Sequence, residues 1–104
     1  MSKSEGALKV SVRFFTSLRE IVGKREETLE FQKGEKVNIN RVLKTLAISY
    51  GKSFVDYVYD AKSGTTRSFL QFLINGRSAA TLEGLETELE DGDVLAIIPP
   101  IGGG

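Results

Sequence analysis

The chain has 104 residues, 40% of them hydrophobic, with 14 basic and 14 acidic side chains and a formal net charge of zero. That is the length of one domain with enough apolar content for a core, and it carries no basic stripe of the kind that holds a nucleic-acid backbone. Cysteine and histidine are both absent, which excludes thiol nucleophiles, histidine-based triads, disulfides and His/Cys zinc sites together.

The polar start, Met1 to Gly6, reads as a flexible segment over 1–7, with the folded unit over 8–98. No run of about 20 apolar residues and no leader pattern occurs, so no membrane contact is expected and the default address is the cytoplasm. Leu8-Lys9-Val10-Ser11-Val12-Arg13-Phe14-Phe15 alternates apolar and polar residues, the period of a half-buried strand. Leu8, Val10, Val12 and Phe14 share one face; Ser11, Arg13 and Phe15 share the other. Ser17-Leu18-Arg19-Glu20 has the form of a capping box, and Gly23 closes the short helix it opens. Glu27 to Phe31 alternates again, and Lys33-Gly34-Glu35 turns the chain.

Ile39, Val42, Leu43, Leu46, Ala47 and Tyr50 then recur at the helical period. Asn38 or Asn40 can cap that helix and Gly51 stops it. Phe54 to Tyr59 fits a short helix or a strand equally well. Ala61 to Gly64 is a loop. Phe69 to Ile74 reads as a strand running into Asn75-Gly76, a strong hairpin signal, and Leu82 to Leu85 as a connecting turn. Glu90-Asp91-Gly92-Asp93 turns tightly into Val94 to Ile98, a run apolar enough for a central strand buried on both faces. Pro99 and Pro100 lack N–H groups and end the ladder.

Three features imitate sites. Gly51-Lys52-Ser53 has the last residues of a phosphate-binding loop, but Leu46 stands where that loop needs its first glycine. Glu86, Glu88 and Glu90 are spaced by two on a solvated face. Lys24-Arg25 beside Glu26-Glu27 is surface charge worth little. The expectation is no catalytic side chain, no metal and no bound cofactor.

The chemistry sits at the other end. Pro99-Pro100-Ile101 leads into Gly102-Gly103-Gly104, and the segment 99–104 reads as an extended tail. Residues without a Cβ can lie extended in a channel too narrow for side chains. From Pro99 to Gly104 such a tail reaches roughly 20 Å. An α-carboxylate there is ionised at neutral pH and is a poor electrophile, so reaction at that carbon needs outside activation by adenylation with ATP. Pro99 and Pro100 stiffen the base of the tail. If Leu95 and Ile97 face the helix, Ala96 and Ile98 face away. Phe15 and Ile98, with Pro99, Pro100 and Ile101, are then the candidate partner-binding residues. Phe69 and Leu73, which flank Gln71, are divided evenly between that outward face and the core.

The pattern of residues 8–104 resembles the β-grasp fold of ubiquitin and its sulfur-carrying relatives. The resemblance rests on Val10 to Phe15 with Leu18 to Gly23, on Leu73-Ile74-Asn75-Gly76-Arg77, and above all on Asp91-Gly92-Asp93-Val94 running through Pro99-Pro100 to the glycines. It is similar to the MoaD-type family, the small subunit of molybdopterin synthase, and to the archaeal small ubiquitin-like modifiers. The resemblance implies an α+β fold, a mixed sheet of four or five strands against one main helix plus a short one. It also implies that an activating enzyme of the ubiquitin-activating type spends ATP to adenylate Gly104, with Gly102 and Gly103 threaded into its site. A thiocarboxylate that donates sulfur, in molybdopterin synthesis through the synthase large subunit, or an isopeptide on protein lysines would follow. The chain itself would be a carrier and no enzyme. It departs from many relatives in its third glycine and in extra length before residue 8 and around 53–68. The alternative is a β-grasp module that docks non-covalently and does not need its tail.

Overall fold

Leu8, Val10, Val12 and Phe14 lie on the buried face of the first strand, β1 (Ala7–Phe14), in the computed structural model, which describes residues 7–100. The expected segment 1–7 therefore lies outside the described residues except for Ala7. Thr16–Val22 forms helix α1 and Glu26–Gln32 forms β2, which returns antiparallel to β1. Helix α2 (Ile39–Tyr50) buries Ile39, Val42, Leu43 and Leu46. A third helix, α3 (Lys52–Val58), follows directly and buries Phe54 and Val58. Strands β3 (Gln71–Ile74) and β4 (Arg77–Ser78) form the hairpin, two 3-10 turns span Ala79–Thr81 and Gly84–Glu86, and β5 (Val94–Ile98) is last.

Among the described residues the sheet has five strands in the order β2-β1-β5-β3-β4. The last strand enters the centre, parallel to β1 and antiparallel to β3. All three helices pack on one face of the sheet around a single core. This is the expected β-grasp arrangement, with α3 in addition.

Two caps and one turn behave as their residues dictate. The Asn38 side chain accepts a hydrogen bond from the Arg41 backbone N–H at 2.8 Å. Gly23 closes α1 in the left-handed region at φ 80°, where glycine has no Cβ to clash. Asn75 and Gly76 take φ values of 51° and 86°, the paired positive angles that a two-residue hairpin turn demands.

Three expectations need correction, and one open reading is decided. The capping box of Ser17 and Glu20 does not form: α1 starts at Thr16, Phe15 is its cap, and no side chain caps it. The Leu18 N–H instead donates to the Phe15 carbonyl at 3.1 Å, because the chain turns as soon as β1 ends. The segment 54–59, whose pattern fits helix or strand, is helical through Val58, and Tyr59 is extended. Phe69 and Leu70 stand outside β3, since the Leu70 N–H turns back to the Arg67 carbonyl at 3.2 Å and Leu70 drops into the core. Finally, β5 is central but is buried on one face only. Leu95 and Ile97 are fully buried, while Val94, Ala96 and Ile98 are half-buried, because among the described residues no helix layer covers the second face.

Candidate functional site

The outward face of the sheet is built by strand parity. In β5, Ala96 and Ile98 point away from the helices. Ala96 lies opposite Leu73 of β3 and beside Arg13 of β1, and Ile98 lies opposite Gln71. Leu73 is half-buried and Phe69 is 44% exposed, so neither of this evenly divided pair belongs to the core. Phe15 keeps an extended backbone (φ −127°, ψ 151°) one residue past β1. It is half-buried, with the Arg13 guanidinium 6.0 Å from its ring centre.

The structure brings Ile98, Pro99 and Pro100 together with Phe69 and Gln71 around an open cleft of about 240 Å³. Pro99 is buried and Pro100 exposed. Pro99 therefore serves first as packing at the root of the tail, and Pro100 is the more accessible of the two. Ile101, Gly102, Gly103 and Gly104 lie outside the described residues. The described chain ends, through Ile98, Pro99 and Pro100, at this cleft.

Two turns fix where β5 begins. The Asn75 side chain donates to Asp93 Oδ1 at 2.9 Å and accepts from the Val94 N–H at 2.9 Å, while the Asn75 N–H donates to the Val94 carbonyl at 2.9 Å. Asp93 Oδ2 accepts from the Glu90 N–H at 2.8 Å. The Asp-Gly-Asp turn and the Asn-Gly turn are thereby stitched to each other. On the other side the Lys9 N–H donates to Asp91 Oδ1 at 2.8 Å. The start of β5 is pinned from both neighbouring strands, and its length of five residues then places Ile98 and Pro99.

Sequence reasoning missed one contributor. Tyr57 of α3 packs its ring 6.1 Å from that of Phe69, tilted by 57°. The signal was present in Tyr57 within the extra segment 53–68 and in Phe69 just after it, but only a helical 52–58 turns Tyr57 toward Phe69.

The imitation sites take structural roles. Gly51 caps α2, and Lys52 pairs with Asp56 at 2.8 Å. Lys24 lies 3.8 Å from Glu27, which accepts from the Tyr50 hydroxyl; burial and that carboxylate together push the Tyr50 phenol up. Among the described residues, no group of three or more Asp or Glu side chains is placed to hold a metal ion. No described helix is long and apolar enough to cross a membrane. A larger groove of about 550 Å³, floored by Leu70, Phe72, Ala79 and Leu85, opens on the β3 side and shares only Gln71 with the cleft at the tail root.

With this geometry in place, the comparisons with known proteins are informative. The ThiS family model matches residues 12–104. Small archaeal modifier protein 3 of Haloferax volcanii is 29% identical over 97 residues, covering 93% of this chain and all of that one. A protein of Archaeoglobus fulgidus named as a sulfur carrier is 33% identical over 70 residues, covering 67% of this chain and 77% of its own. The solution structure of small archaeal modifier protein 1 from Methanosarcina acetivorans superposes with a TM-score of 0.73 at 38% identity, covering 94% of this chain and 98% of that one. The chain therefore belongs to the ThiS family, whose members are small ubiquitin-like carrier and modifier proteins rather than catalytic enzymes.

Proposed function

We propose that this chain is a protein cosubstrate activated at the carboxyl group of Gly104. The Gly104 carboxylate attacks the α-phosphorus of ATP in the site of an adenylating enzyme of the ubiquitin-activating type, pyrophosphate leaves, and an acyl-adenylate forms. A sulfur nucleophile supplied by the partner then displaces AMP and gives a thiocarboxylate. The alternative nucleophile is a lysine amine, which gives an isopeptide. Both products follow from one activated acyl group, and the names of the relatives span both uses. The thiocarboxylate would deliver sulfur to a metabolite, such as the molybdopterin precursor held by a synthase large subunit. The work would take place in the cytoplasm.

The observation that carries this reading is the exit of β5. The central strand leaves the sheet through Ile98, Pro99 and Pro100 beside an apolar face that none of the described helices covers. Gly102 and Gly103 would thread the partner's channel, and Phe15, Ile98, Pro100 and Ile101 would meet its rim. The chain contributes no acid, base or nucleophile; its part is to present one carboxylate on a stiffened base while the globule stays outside.

The test is intact mass after incubation with the adenylating enzyme encoded in the same genome, ATP and a sulfide source. Replacement of one carboxyl oxygen by sulfur is the expected product. Pyrophosphate exchange that continues undiminished in a chain lacking Gly103 and Gly104 would instead favour a docking module with a dispensable tail.

A further inference from the structure

The cleft at the tail root has properties that a generic apolar patch lacks. Its lining is Phe69, Gln71, Ile98, Pro99 and Pro100, and none of these side chains ionises. Its volume of about 240 Å³ falls below the roughly 300 Å³ at which small-molecule pockets begin. It is large enough for one bulky side chain and too small for a nucleotide.

Its outer wall is also held in place. Phe69 is 44% exposed yet braced. The Tyr57 ring stands 6.1 Å away, and Tyr57 is itself half-buried against the core. The Arg67 guanidinium donates to the Asp56 carbonyl at 3.0 and 3.3 Å, and the Arg67 N–H donates to the Val58 carbonyl at 2.8 Å. A bridge between Tyr59 and Thr66 closes the loop above them. An apolar ring kept out of the core by this many contacts is preorganised for a partner, which lowers the ordering cost of binding.

We propose that this cleft receives a single bulky apolar side chain from the surface of the adenylating partner, and that α3 with the 59–68 loop determines which partners fit by fixing Phe69. The proposal rests on the carrier reading of Gly104. Gly104 lies four residues beyond Pro100, at most about 14 Å along an extended chain. A protein that closes a channel around those residues must set the mouth of the channel against Pro100, which is one wall of the cleft. The absence of charge in the lining selects an aliphatic or aromatic side chain, of the kind that forms interface hot spots when it fills a pocket.

Gln71→Trp fills the cleft from an exposed position on the outward face, Phe69→Ala removes its wall, and Tyr57→Ala removes the brace. Binding of each variant to the adenylating enzyme from the same genome is measured by calorimetry without ATP, alongside thermal unfolding of the free variant. Gln71→Trp and Phe69→Ala should each raise Kd about ten-fold or more, on the scale of a filled hot-spot pocket, with the Gln71→Trp unfolding temperature unmoved. Gln71→Trp binding as tightly as the unaltered chain, or tighter, overturns the proposal, because an added indole on a flat apolar patch would strengthen contact. If the unaltered chain is bound and adenylated and all three variants match it, the cleft proposal alone fails. If the unaltered chain neither binds nor is adenylated, the carrier reading fails and this proposal with it. Self-association of the free chain that Gln71→Trp abolishes in sedimentation would make the occupant a second copy, and would also overturn the proposal.

Discussion

Ile97 and Ile98 are chain neighbours with opposite surroundings. Ile97 is fully buried opposite Phe72 and beside Phe14, while Ile98 is half-exposed opposite Gln71 at the lip of the tail-root cleft. The alternation of a strand forces this split, and it lets one pair of substitutions separate folding from docking. Ile97→Asp buries a charge with no partner and should unfold the domain, since the penalty is a large share of a total stability of about 5–15 kcal/mol. Ile98→Asp should leave the unfolding temperature nearly in place and weaken binding to the adenylating enzyme by about 2 kcal/mol or more. Thermal unfolding and calorimetric binding on both variants decide it. An unfolded Ile98 variant beside a folded Ile97 variant would reverse the face assignment.

The threading role of the glycines is checked at Gly103. Gly103→Val adds a β-branched side chain where the proposed channel admits none. Turnover in pyrophosphate exchange should collapse while affinity for the activating enzyme falls much less, because docking uses the sheet face. Adenylation at the native rate would show that no narrow channel exists.

Asn75 should be worth more than its turn position. Asn75→Ala loses two side-chain hydrogen bonds, each worth about 0.5–1.5 kcal/mol, and places an alanine at φ 51°, where a Cβ costs about 1–2 kcal/mol. Asn75→Gly loses the same bonds but not the conformational term. Chemical denaturation should therefore rank the two variants, with alanine the less stable by roughly 1 kcal/mol. Equal midpoints would mean that the positive φ carries no strain.

Acid stability should depend on Glu35. Its carboxylate accepts from Arg41 Nη2 at 2.7 Å and from the Gln32 N–H at 2.9 Å. The Arg41 hydrogen bond, first, and then the Gln32 N–H hold its pKa below the ordinary 4.5. A lowered folded value means a contribution fully present above the ordinary value and lost as pH falls through the lowered one. Glu35→Gln should leave the unfolding temperature less dependent on pH below about 4.5 and reduce it near neutrality. An unchanged acid limb in this variant would assign that limb to other carboxylates.

Much of the fold is written in local pattern. Leu8, Val10, Val12 and Phe14 specify a strand because a period of two puts all four on one face, and all four are buried. Ile39, Val42, Leu43 and Leu46 specify α2 in the same way at the helical period. Asn75-Gly76 specifies its hairpin because few residues accept paired positive φ angles. Where local pattern failed, the deciding contact was distant. Phe54, Val55, Tyr57 and Val58 satisfy neither period cleanly, and segment 52–58 is helical because Phe54 and Val58 find room in the core that α1 and α2 share with the sheet. Ser17 and Glu20 have the composition of a capping box, but the turn out of β1 starts the helix two residues earlier, with Phe15 as its cap.

The sequence by itself determined the run of Pro99-Pro100-Ile101 and three glycines, the absence of cysteine and histidine over its 104 residues, and the parity that sends Ile98 opposite to Ile97. Composition and strand alternation are properties of the chain alone, so they can be read without coordinates. The tertiary structure decided that β5 has one bare face, because an apolar run cannot report how many layers will cover it. It also decided that Phe69 leaves its strand, leans on Tyr57 and walls a cleft against Pro99 and Pro100. That arrangement joins residues from three separate parts of the chain, and only packing against a common core brings them to one place.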